Sequence, residues 1–127
     1  MTKSPGHQQM PGHQVREEVL RKNIKVSVYG EVIADSDAVI KVSEDGCPPR
    51  YYFRRDDVRL DKLEAGSTTS ECPFKGIASY FNLKAGGTTQ TEVVWSYEQP
   101  YDEHADLQGR LAFYEEKLQG IQITPKE

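Results

Sequence analysis

At 127 residues and a formal net charge of −4, the chain has the length of one domain, enough to bury roughly two-thirds of its unfolded surface around a single core. The charge argues against a general nucleic-acid binder, whose footprint is a basic face, and no stretch approaches the roughly 20 apolar residues of a membrane span. With two cysteines, Cys47 and Cys72, and no signal-peptide pattern, the expectation is a reduced, soluble, cytoplasmic protein; a bridge between the two thiols depends on their distance.

Residues 1–21 read as a mobile tail ending in a short helix. Met1 to Gln14 is rich in Pro, Gly, Gln and His, with little to bury. His7 and His13 are exposed tail histidines on this reading, favoured over metal ligands. Val15 to Lys22 carries helix-favouring residues, with Val15 and Val19 placed to dock on the body.

A single β-rich domain is expected over 22–123. Ile24, Val26 and Val28 alternate with polar neighbours, which suits a half-buried strand. Gly30 marks a turn, Val32 to Ala34 a second strand, Asp35 to Asp37 another turn, and Val39 to Val42 a third strand. Short connections predict an antiparallel meander. Pro48-Pro49 keeps Cys47 outside regular structure. Tyr51-Tyr52-Phe53 restarts a strand, and Arg54 to Asp57 reads as a solvated charged turn, with an arginine turned back as an anion clamp as the competing reading. Val58, Leu60 and Leu63 give a short strand or helical turn, and Glu64 to Glu71 a polar loop. Ser79 to Leu83 alternates again, Ala85 to Thr88 is a glycine hairpin turn, and Glu92 to Tyr97 is the return strand. From Glu103 to Leu118 the stripe Leu107, Leu111, Tyr114, Leu118 predicts a C-terminal α-helix. Ile121 and Ile123 offer a last strand or a packed segment, and residues 124–127 a frayed tail.

The chemistry concentrates between Thr68 and Leu83. Cys72 lies three residues before Lys75, with Pro73 and Gly76 to turn the chain. A lysine beside a thiol favours thiolate, so Cys72 as nucleophile with Lys75 as activator stands against Cys72 as a small buried apolar residue. His104 is the sole histidine inside the expected domain and reads as a solvated residue at a helix start. There is no Cys-x-x-Cys pair for structural zinc, and Gly86-Gly87 lies between strands rather than ahead of a helix, unlike a phosphate loop. No metal and no cofactor is expected. Alternation can aim several of Tyr52, Tyr80, Phe81, Trp95, Tyr97 and Tyr114 at one face, with Lys75 or Arg55 nearby to supply positive charge. Aromatic walls with convergent charges describe a small-molecule pocket; an ordinary β-core with a polar edge is the equal alternative.

The succession Pro49-Arg50-Tyr51-Tyr52-Phe53, Cys72-Pro73-Phe74-Lys75-Gly76-Ile77-Ala78-Ser79-Tyr80, Val94-Trp95-Ser96-Tyr97 and Gly109-Arg110-Leu111-Ala112-Phe113-Tyr114 resembles the family called domain of unknown function 427, over about Lys22 to Leu118. Members usually carry proline where Arg54 stands. The resemblance implies an α+β, mainly antiparallel fold similar to the β-tent of methionine sulfoxide reductase B and the ligand-binding domain of cereblon. Those relatives hold zinc through Cys-x-x-Cys pairs that this chain lacks. The family's nucleotidyltransferase-like label finds no matching pair of metal-holding aspartates: Asp56 and Asp57 are adjacent and point opposite ways in an extended segment.

The expected architecture is therefore a β-tent-like two-sheet domain with a C-terminal α-helix. The first functional reading is a binding domain for a small, anionic ligand, held by Tyr52, Arg55, Lys75, Tyr80, Trp95 and Tyr97. The alternatives are a thiol-dependent enzyme using Cys72 with Lys75, and a protein-interaction module whose aromatic groove holds a peptide or another subunit.

Overall fold

Alternating apolar residues build ten strands, described in a computed structural model for residues 3–125. In chain order they are β1 (Val15–Leu20), β2 (Ile24–Val28), β3 (Glu31–Ser36), β4 (Val39–Glu44), β5 (Arg50–Phe53), β6 (Leu63–Cys72), β7 (Gly76–Ala85), β8 (Thr88–Tyr97), β9 (Leu111–Phe113) and β10 (Ile121–Thr124). A seven-stranded sheet runs β1-β4-β5-β9-β8-β7-β6 and a three-stranded sheet runs β10-β2-β3. Every strand pairing is antiparallel.

The period of two sorts the large sheet's side chains into two cores. Along β5, Tyr51 and Phe53 join a core shared with Ile24, Val26, Val28 and Ile33 of the small sheet, while Tyr52 joins a second cluster with Ile40, Trp95, Tyr97 and Leu107. The same split separates Leu111 and Phe113 from Ala112 in β9, and Val39 from Ile40 in β4. The inner core lies between the sheets. The outer cluster covers the opposite face of the large sheet.

Tight turns hold this register. Gly86 and Gly87, at φ +60° and +79°, form the expected β7–β8 hairpin turn with both central residues left-handed. Tyr29 and Gly30 (φ +50° and +82°) do the same between β2 and β3. The expected meander breaks after β3. Ser36 Oγ accepts from Ala38 N at 3.0 Å and donates to Asp57 Oδ2 at 2.6 Å, cornering the chain so that β4 enters the other sheet.

The C-terminal α-helix is replaced by strands. A short 3-10 segment, Asp102–Leu107, is kinked at His104, and Gly109 turns the chain at φ +71° into β9, which fills the gap between β5 and β8. A mid-helix glycine costs about 1 kcal/mol, and the helical spacing of the leucines is met otherwise: Leu107 enters the outer cluster, Leu111 and Leu118 the inner core. The polar loop 64–71 is instead most of edge strand β6, exposed along nearly its whole length, so no burial pattern marks it. Residues 15–20, read as helix, form edge strand β1 against β4. Ahead of it, α1 (Pro5–Gln9) is capped by Ser4, whose Oγ accepts from His7 N at 3.2 Å. Of the expected frayed C-terminal tail, Thr124 ends β10, and residues 126 and 127 lie outside the described residues, as do 1 and 2 of the N-terminal tail.

Candidate functional site

The outer face of the large sheet opens into a pocket of about 210 Å³. Tyr52 on β5, Trp95 and Tyr97 on β8, and Tyr80 on β7 wall it, with Tyr114 just past β9. Trp95 and Tyr97 are two residues apart and share a face, and Tyr80 is directly opposite Trp95 in the ladder. Tyr52 and Trp95 meet edge-on at 6.3 Å between centroids, and Trp95 Nε1 donates to the Tyr52 hydroxyl at 3.1 Å. The Arg50 guanidinium covers Trp95 and Tyr114 at 5.3 and 5.4 Å and bonds Glu116 Oε1 at 2.6 Å.

Lys75 reaches the pocket from the three-residue loop Pro73-Phe74-Lys75 between β6 and β7. It is buried and ion-paired to Glu44 Oε1 at the end of β4. The other oxygen, Glu44 Oε2, bonds His13 Nε2 at 3.1 Å. Burial pushes the Glu44 carboxyl up, but the bonds and charges of Lys75 and His13 outweigh it and leave the group below its ordinary value. Burial drives the phenols of Tyr52 and Tyr97 well above theirs. Among the described residues, the Tyr97 hydroxyl has no hydrogen-bond partner.

The N-terminal segment braces this end of the sheet. His13 stacks on Phe74 at 4.2 Å and His7 meets the same ring edge-on at 5.1 Å. His7 Nε2 faces His104 Nε2 at 2.9 Å, and His104 Nδ1 bonds Glu17 Oε2 at 2.6 Å. Ser4 Oγ and Gly6 N both donate to Pro73 O. His104, expected to be solvated, is 3% exposed.

Residues 16–124 match the family described as a domain of unknown function, DUF427. The chain belongs to that family. No curated protein matches it.

The DUF427 chain brings five of the six expected ligand-binding residues, Tyr52, Lys75, Tyr80, Trp95 and Tyr97, to one pocket. Arg55 is elsewhere. Its Nε donates to Gly109 O at 2.7 Å and its Nη2 to Ser96 Oγ at 3.3 Å, and it pairs with Glu98. Ser96 lies between Trp95 and Tyr97, so alternation turns it, and the arginine it holds, away from the pocket. Arg54, standing where family members usually have proline, adopts φ −64° and ψ 144°, the conformation a proline would take. Cys72 is half-buried against the outer cluster and does not line the pocket, whereas the exposed Cys47 does. Both thiols are free. The ammonium expected to activate Cys72 is engaged by Glu44.

Six residues that line the pocket lay outside the expected ligand-binding set, Val42, Glu44, Cys47, Pro48, Arg50 and Tyr114, the last already among the aromatics considered for its wall. Two had a usable signal. Arg50 is two before Tyr52, and Glu44 is two past Val42, so each shares the face of a pocket residue. Among the described residues no group of three or more His, Cys, Asp or Glu is placed to hold a metal ion, and no helix is long and apolar enough to cross a membrane.

Proposed function

We propose that this DUF427 domain binds a small, ring-sized molecule in the outer-face pocket. One observation carries the reading. Side chains from four separated stretches (Glu44, Arg50 with Tyr52, Lys75, and Trp95 with Tyr97) converge on a cavity that is smaller than the about 300–1,000 Å³ of drug-sized sites and has the same aromatic-wall character. The free thiols support a cytoplasmic setting, and the two sheets around a shared core support the β-tent-like arrangement that the family resemblance implies.

The test is a thermal-shift screen against acidic, basic and neutral ring compounds, with Trp95 fluorescence as the second readout. A ligand at a hundred times its dissociation constant adds about 2.7 kcal/mol. Tyr80→Ala removes a half-buried wall and is expected to abolish that gain while nearly preserving the ligand-free melting temperature. A hit that survives Tyr80→Ala with no Trp95 response binds elsewhere and contradicts the proposal, as does a blank across all three classes.

A further inference from the structure

The hydrogen-bonding groups left over in the pocket are unbalanced. Each oxygen of Glu44 already accepts one bond, one from Lys75 and one from His13. The Tyr52 hydroxyl already accepts from Trp95 Nε1, which leaves its proton to donate. The Tyr97 hydroxyl is unpartnered among the described residues and stays open to solvent at the pocket. Lys75, 7% exposed, has one acceptor among the described residues for three N–H groups. What remains uncommitted around the pocket is therefore weighted toward donors: two N–H groups of Lys75 and the Tyr52 proton, with the Tyr97 hydroxyl able to give one more. These donors line the pocket, so a ligand that matches them brings acceptors of its own.

Building on the pocket reading above, we propose that the ligand is a planar monoanion, a ring bearing a carboxylate, whose two oxygens accept from the Tyr52 and Tyr97 hydroxyls and the Lys75 ammonium while its ring lies against Trp95. Charge sets the limit at one. The Lys75 cation is opposed by Glu44 and the Arg50 cation by Glu116, so the lining has no surplus positive charge, and a second negative charge on the ligand would double the repulsion from Glu44. A cation would meet the Lys75 ammonium as a like charge in the pocket lining. Burial keeps both phenols protonated, and hence donors, throughout the working pH range.

The experiment titrates the full-length protein with benzoate, benzamide, benzylammonium and inorganic phosphate, following Trp95 fluorescence and melting temperature. Benzoate is expected to saturate the Trp95 signal, benzamide to bind at least tenfold more weakly, and benzylammonium and phosphate to give no saturable response. Tyr97→Phe is expected to weaken benzoate about tenfold and leave benzamide nearly unchanged. Benzamide or benzylammonium binding as tightly as benzoate, or benzoate unaffected by Tyr97→Phe, overturns the carboxylate while leaving the pocket standing. If none of the ring probes perturbs Trp95, both the pocket reading and the ligand class fall.

Discussion

The two faces of the seven-stranded sheet are built from the same strands and do different work. The inner face meets the small sheet through side chains with no polar atoms to satisfy, apart from Tyr51: Val, Ile, Leu, Ala and Phe, nearly all fully buried. The outer face carries Tyr52, Trp95 and Tyr97, with Lys75, Glu44 and His104 buried or half-buried around them. One residue's step along β5, from Phe53 to Tyr52, crosses from one regime to the other. A face optimised only for stability gains little from the Tyr97 hydroxyl, which has no hydrogen-bond partner among the described residues and is open to solvent at the pocket. The difference sets an apolar inner face, closed between the sheets, against an outer face whose polar groups open on the pocket proposed for binding.

The sharpest way to break that contrast is at Phe53, which packs edge-on against Phe113 at 5.7 Å with no exposure. Phe53→Ala is expected to cost about 3–5 kcal/mol in denaturant unfolding. A loss below 1 kcal/mol would mean the inner core is not what holds the sheets together.

Next in size is the brace. A Cβ on Gly6 would stand 2.7 Å from Pro73 O and 2.7 Å from Phe74 Cδ1, and the backbone oxygen cannot move aside cheaply. Gly6→Ala is expected to cost about 1–3 kcal/mol and to raise amide exchange across residues 4–14 while leaving β2 and β3 protected. Uniform loss of protection would place the brace in the same cooperative unit as the inner core.

A smaller effect concerns acid. Glu44 is held below its ordinary value in the folded state, so its contribution is present above the unfolded carboxyl value of about 4.3 and is lost as pH falls through the lower folded one. Unfolding free energy measured from pH 6 to pH 3 should therefore decline, and Glu44→Gln should decline less steeply. Equal slopes would remove Glu44 from the pocket's charge balance.

Alternation explains how much of this was readable from residues alone. The strands at Ile24–Val28 and Thr88–Tyr97 and the Gly86-Gly87 turn stand out because one face is apolar or a turn needs positive φ. Tyr52, Trp95 and Tyr97 followed from the same period. β6 did not, since an edge strand exposed on both sides carries no burial pattern. The leucines from 107 to 118 misled because helical spacing was met by a 3-10 turn and a strand serving two different cores. His7, His13 and His104 looked solvated because their partners, Phe74, Glu17 and Glu44, are distant in sequence. Arg55 was sent to the wrong face because the turn after Phe53 interrupts the strand register.

Two tyrosines on the outer face test the central claim most directly, through the unfolding free energies of Tyr97→Phe and Tyr52→Phe without ligand. The Tyr52 hydroxyl satisfies the Trp95 indole, so Tyr52→Phe should lose about 1–3 kcal/mol, whereas Tyr97→Phe, which removes an unpartnered donor, should match or exceed the parent to within about 0.5 kcal/mol. If Tyr97→Phe is instead destabilised as much as Tyr52→Phe, that hydroxyl serves the fold, and the outer face is a second structural core rather than a binding site.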